Sequence, residues 1–86
     1  RLDGAVMANT ILFERNKNGH TTDPLMDRIR EAAKAEGWTR MVGFKDWAKE
    51  HYNATLRAGL YDDWTSISFK TAQDLARFKQ DFGVEQ

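Results

Sequence analysis

The feature that most restricts this chain is a change of hydrophobic period at residue 70. From Trp64 to Lys70 the side chains alternate, with Thr65, Ile67 and Phe69 to one side and Trp64, Ser66, Ser68 and Lys70 to the other. That is the period of a strand with one core face and one wetter face. Past that point Leu75, Phe78 and Phe82 recur at helical spacing. Thr71-Ala72-Gln73-Asp74 has the form of a capping box with Asp in place of Glu, and Gly83 stands where a helix stop is expected. A strand running straight into an amphipathic helix commits the chain to a mixed class.

The other elements follow from punctuation. Ile11-Leu12-Phe13 is a short β-branched and aromatic run within Thr10 to Arg15, closed by the turn signal Asn16-Lys17-Asn18-Gly19. Thr22-Asp23-Pro24 opens a helix, because Asp23 can accept from orphan amides and Pro24 gives up a donor the first turn cannot use. Leu25, Met26, Ile29, Ala32 and Ala33 mark its buried stripe, and Gly37 its end. Trp38 to Val42 reads as a short strand or an extended loop. Phe44, Trp47, Ala48, His51, Tyr52, Thr55 and Leu56 fit a second helix from Phe44 to Ala58, stopped by Gly59.

A lone strand pair is marginal in water, so Ile11 to Phe13 and Ile67 to Phe69 are predicted to share one sheet covered by the helices. The expectation is an α+β fold, a two- or three-stranded sheet packed by three helices in the order β-α-(β)-α-β-α. Eighty-six residues suit one domain. Met7-Ala8-Asn9-Thr10 resembles a natural start, which sets residues 1–6 aside as either an expression remnant or an upstream extension.

Composition narrows the functional classes. A hydrophobic share of 41% excludes a disordered tail. No cysteine is present, which removes disulfides, thiolate metal sites and cysteine nucleophiles. With neither a leader-like segment nor an apolar run near the roughly 18 residues of a membrane span, the expected setting is the cytoplasm. Asn53-Ala54-Thr55 matches a glycosylation acceptor by coincidence, within a predicted helix. Thirteen basic and thirteen acidic residues cancel, so any electrostatic attraction must be local, and neutrality favours association with a second copy or another protein.

Catalytic signals are sparse. His20 beside Thr21-Thr22-Asp23, and His51 between Trp47 and Tyr52, are the two candidate bases of a small hydrolase-like enzyme, and nothing in the sequence pairs them with each other. Asp62-Asp63 supplies too few ligands for a divalent cation and reads as a solvated turn. No metal-binding spacing or phosphate loop occurs, and no cofactor is implied.

Binding signals are stronger. Three Trp and two Tyr are many for this length. Trp38, beside Arg40 past a helix end, and Trp64, on the less apolar face of its strand, are the aromatic candidates for an interface. Arg30, Lys34, Arg40, Lys45 and Lys49 are its charged candidates. The preferred reading is a non-enzymatic module that docks on a protein partner, with its interface around Trp38 to Lys49 and the Trp64 face. An alternative is a nucleic-acid module using the Arg28 to Lys49 basic stretch, with Trp38 or Tyr61 stacking on a base. Asp27, Glu31, Glu36, Asp46 and Glu50 interleave with that stretch and favour solvated ion pairs instead.

The segment from Ile67 to Lys79, ending in Asp81-Phe82-Gly83, resembles the strand-helix ending of small bacteriophage-encoded accessory proteins. The resemblance covers about the last fifth of the chain and carries no functional residues. It implies a binding role, either decorating a virion or covering the surface of a host enzyme.

Overall fold

The computed structural model describes residues 9–59 and 63–84. The elements are β1 (Thr10–Leu12), α1 (Pro24–Ala35), α2 (Met41–Tyr52), β2 (Ala54–Ala58), β3 (Trp64–Phe69) and α3 (Ala72–Phe82). The strands form one antiparallel sheet in the order β1-β3-β2. The fold is therefore α+β, with three helices and a small three-stranded sheet among the described residues. Because β1 and β2 both run against β3, they are parallel to each other, and the two helices between them form a split βαβ crossover. Tyr61 and Asp62, singled out above, lie outside the described residues, as do residues 1–6.

The helix signals work as their chemistry requires. Asp23 accepts from Leu25 N at 3.0 Å through one carboxylate oxygen and from Glu14 N at 2.9 Å through the other, so one side chain caps α1 and anchors the chain leaving β1. Thr71 accepts from Asp74 N at 3.0 Å and donates to Asp74 Oδ2 at 2.9 Å. Gly83 closes α3 in the left-handed conformation at φ 66°.

Two expectations need correction. The third strand is Ala54–Ala58, and the Trp38 to Val42 segment instead leads into α2, which begins at Met41 and stops at Tyr52. The stop is Asn53, in the left-handed region at φ 52°, ψ 39°, with its N–H turned back to the Ala48 and Lys49 carbonyls. Asn tolerates that conformation better than other residues with a Cβ. Beyond it the chain reads at period two: Ala54 and Leu56 are buried, while Thr55 and Arg57 are exposed.

Trp64 is the second correction. It does not lie on a wetter face; it is 1% exposed and among the largest fully buried side chains. The cause is a β-bulge. Arg57 pairs with Ser66, but Ala58 pairs with Trp64, leaving Thr65 as an extra residue. One inserted residue reverses the side-chain alternation, and Trp64 joins Ile67 and Phe69 on the core side. Thr21 fastens this end of the strand: its hydroxyl accepts from Trp64 N and donates to the Trp64 carbonyl, both at 2.7 Å.

The core is aromatic on the α3 side. Phe78 stacks on Phe82 at 4.5 Å between centroids and meets Phe69 at 5.1 Å and Tyr52 edge-on at 5.2 Å. The Tyr52 hydroxyl donates to Asp81 at 2.7 Å, while Arg77 lies 4.8 Å over the Tyr52 ring and donates to the His51 carbonyl at 2.8 Å. These contacts clamp the end of α2 to α3. Burial, then the hydrogen bond to Asp81 and its charge, push the Tyr52 phenol up to about 12. Trp47 is buried in the same cluster, with its indole N–H unpaired among the described residues.

Trp64→Ala is expected to cost about 3–5 kcal/mol in urea denaturation, the penalty for truncating a large buried ring. A surface tryptophan would cost a fraction of that. The raised Tyr52 value means that the folded state keeps its phenolic proton where the unfolded chain has lost it. The resulting stability is complete below pH 10 and is lost between pH 10 and about 12. Tyr52→Phe should flatten the pH dependence of the denaturation midpoint in that window.

Candidate functional site

The corner between α1 and α2 brings together a half-buried tryptophan and an exposed valine. Gly37 N donates to the Lys34 carbonyl and Trp38 N to the Ala33 carbonyl, closing α1, and Gly37 turns the chain at φ 91°. A side chain at that φ is strained. The turn lays Trp38 half-buried against the core. Gly43 of α2 faces it, and a Cβ there would sit 3.4 Å from Trp38 Cβ, an ordinary contact distance. Val42, one residue earlier, is 69% exposed. Gly37, Trp38, Thr39, Arg40, Val42 and Gly43 line a shallow groove of about 380 Å³.

Charge surrounds this groove unevenly. Arg40 precedes the first turn of α2, and Lys45 follows Val42 by three residues, on the same side of the helix. Both are exposed, and neither carries an ion pair among the described residues. Glu36 is engaged by His51 at 2.7 Å. Asp46 and Glu50 bring acidic charge further along α2.

The other residues proposed from sequence are dispersed. Arg30 pairs with Asp27 at 2.8 Å, and Lys34 lies in the last turn of α1. Arg28 donates to the Phe82 carbonyl and covers the Phe82 ring at 5.7 Å, so it is part of the α1–α3 packing. Trp64 is in the core. Lys49 belongs to a different cleft of about 360 Å³, shared with Asn53, Thr55, Ser68, Phe69 and Lys70. Sequence reasoning missed Val42, Arg57 and Lys70. Lys70 was legible as an outward position of β3, whereas Arg57 was hidden by reading residues 44–58 as one helix.

Each histidine meets a carboxylate: His20 Nδ1 lies 2.8 Å from Asp63 and His51 Nε2 lies 2.7 Å from Glu36. A His–carboxylate pair can orient a base, but general base catalysis also needs a group to deprotonate. The hydroxyl next to His20 in sequence, Thr21, is already engaged by the backbone of Trp64. Among the described residues no three His, Asp or Glu side chains converge on a metal position, and no helix is long and apolar enough to cross a membrane.

Gly37→Ala should destabilise the fold by roughly 1–2 kcal/mol, the cost of a Cβ in the left-handed region. Gly19, also at positive φ but in the turn before His20, provides a comparison. Gly19→Ala should show a similar penalty in the same urea series while leaving the proton NMR shifts of the Trp38 indole in place, whereas Gly37→Ala moves them. No protein-family model matches the chain, and neither a curated protein nor a solved structure matches it.

Proposed function

We propose that this chain is a non-enzymatic binding module that docks on a protein partner through the α1–α2 corner. The observation that carries this reading is Val42, a large aliphatic side chain held 69% exposed beside the half-buried Trp38. Covering such a side chain with a partner is worth about 1.5–3 kcal/mol. A tryptophan at the centre of a contact is a frequent source of binding energy. Arg40 and Lys45, at the margins, favour a partner that presents an apolar side chain flanked by carboxylates. The resemblance to phage accessory proteins is in keeping with a host enzyme or a virion component as that partner, met in the host cytoplasm.

The test is parallel capture from a host lysate on immobilised wild-type chain, Val42→Glu, Arg40→Glu and Lys79→Gln, followed by quantitative mass spectrometry. The expected outcome is a protein retained by wild type and Lys79→Gln, and lost at least about tenfold with the two corner variants. A captured set indifferent to Val42 and Arg40 would overturn the assignment. So would sedimentation showing that the corner is covered by a second copy of this chain.

A further inference from the structure

The helices cover one face of the sheet and leave the other open. Two rows of side chains cross the open face: Thr10, Ser68 and Thr55 in one, Leu12, Ser66 and Arg57 in the next. Neither row contains a carboxylate. Beyond the first row, Lys70 and Lys49 converge with Thr55 and Ser68 on the cleft of about 360 Å³. At the opposite end the Arg15 guanidinium reaches toward Gly59, where a Cβ would lie 3.5 Å from it. None of these four cations has an ion pair among the described residues. In a chain with equal numbers of acids and bases, that is a local separation of charge. Acidic groups stand at both margins: Asp63, beside Gly59, is engaged by His20 at 2.8 Å, and Asp74 is held by Thr71, Arg77 and Asn53, whose hydrogen bonds keep its carboxyl below its ordinary value.

We propose that this open sheet face binds single-stranded nucleic acid through its phosphates, independently of protein docking at the α1–α2 corner. Cations without counter-ions release condensed salt when they meet phosphates. The exposed Thr55 hydroxyl, and the half-buried Thr10 and Ser68 hydroxyls paired at 2.9 Å, are short groups suited to phosphate oxygens, whereas Ser66 between Leu12 and Arg57 is buried. Positions 70 and 66 are separated by roughly 13 Å along the strand, so the two cationic ends address different phosphates of one strand. Leu12, 62% exposed in the row of Ser66 and Arg57, supplies apolar contact for a sugar or base. No aromatic side chain lies in either row, so the contact reads phosphate and sugar, with little preference for base sequence.

The measurement is fluorescence anisotropy of a labelled mixed-sequence single-stranded oligonucleotide with the full chain, over a salt series starting at about 50 mM. Parallel arms use the same sequence as a duplex and inorganic polyphosphate. Binding should weaken with salt at a log–log slope of about −3, for four phosphate contacts at roughly 0.7 each. Lys70→Glu with Arg57→Glu should lower affinity at least about tenfold, whereas Lys79→Gln should leave it unchanged. Circular dichroism of each variant confirms that the fold is retained, and the milder pair Lys70→Gln with Arg57→Gln replaces any that unfolds.

Three results would overturn the proposal: no anisotropy change at low salt, equal or tighter binding of the duplex or of polyphosphate, or binding removed by Arg30→Glu with Lys34→Glu but not by the sheet variants. The last would move nucleic-acid binding to the helices. Val42→Glu must leave the anisotropy unchanged, which separates this surface from the protein-docking corner.

Discussion

The structure depends on β3 being bonded on both sides while only one of its faces is covered. As the central strand it sets the register of both neighbours, so whatever decides which of its side chains face inward decides the core. The bulge at Thr65 makes that decision. It lets Trp64, Ile67 and Phe69 all point into the helical layer, although their spacing does not alternate regularly. Thr21 then holds the bulged end in place through the backbone of Trp64.

From this strand outward, packing and polar contacts reinforce each other. Phe69 meets Phe78, which meets Tyr52 and Phe82, so α2 and α3 are positioned by rings rooted in or leaning on the sheet. Tyr52 satisfies its buried hydroxyl on Asp81, and Arg77 covers its ring and caps the end of α2. Among the described residues the Trp47 indole is the exception, a buried donor without a partner whose desolvation costs on the order of 1–3 kcal/mol.

Much of this was legible in the sequence because it rests on local chemistry. Asp23-Pro24 and Gly37 bracket α1, and Thr71 and Gly83 bracket α3, with each signal acting on its own backbone. Tyr52, Thr55 and Leu56 fit a helical stripe as well as they fit two elements, and Asn53 is a less audible stop than glycine, so β2 was hidden. The face of Trp64 was not legible, because a bulge is defined by the partner strand and leaves no mark on its own segment. For the same reason Trp38 and Arg40 could be named as corner residues from sequence, while the open sheet face could not. Its members come from three strands, one of them read as helix.

The placement of β1 bears on the order in which the molecule assembles. This strand has only three residues, lies at an edge, and joins β3 across a sequence separation of 58 at the Thr10–Ser68 contact. By contrast, β2, β3 and α3 are consecutive and make their main contacts within about 30 residues. Loop-closure entropy therefore delays β1 until the rest is in place, and makes it the first strand to detach when the native state breathes. The open face is complete only while that strand is docked, because Thr10 and Leu12 come from it. Its outermost column thus rests on the strand of the sheet whose closure costs most, and among the three strands the β1 amides should exchange with solvent soonest.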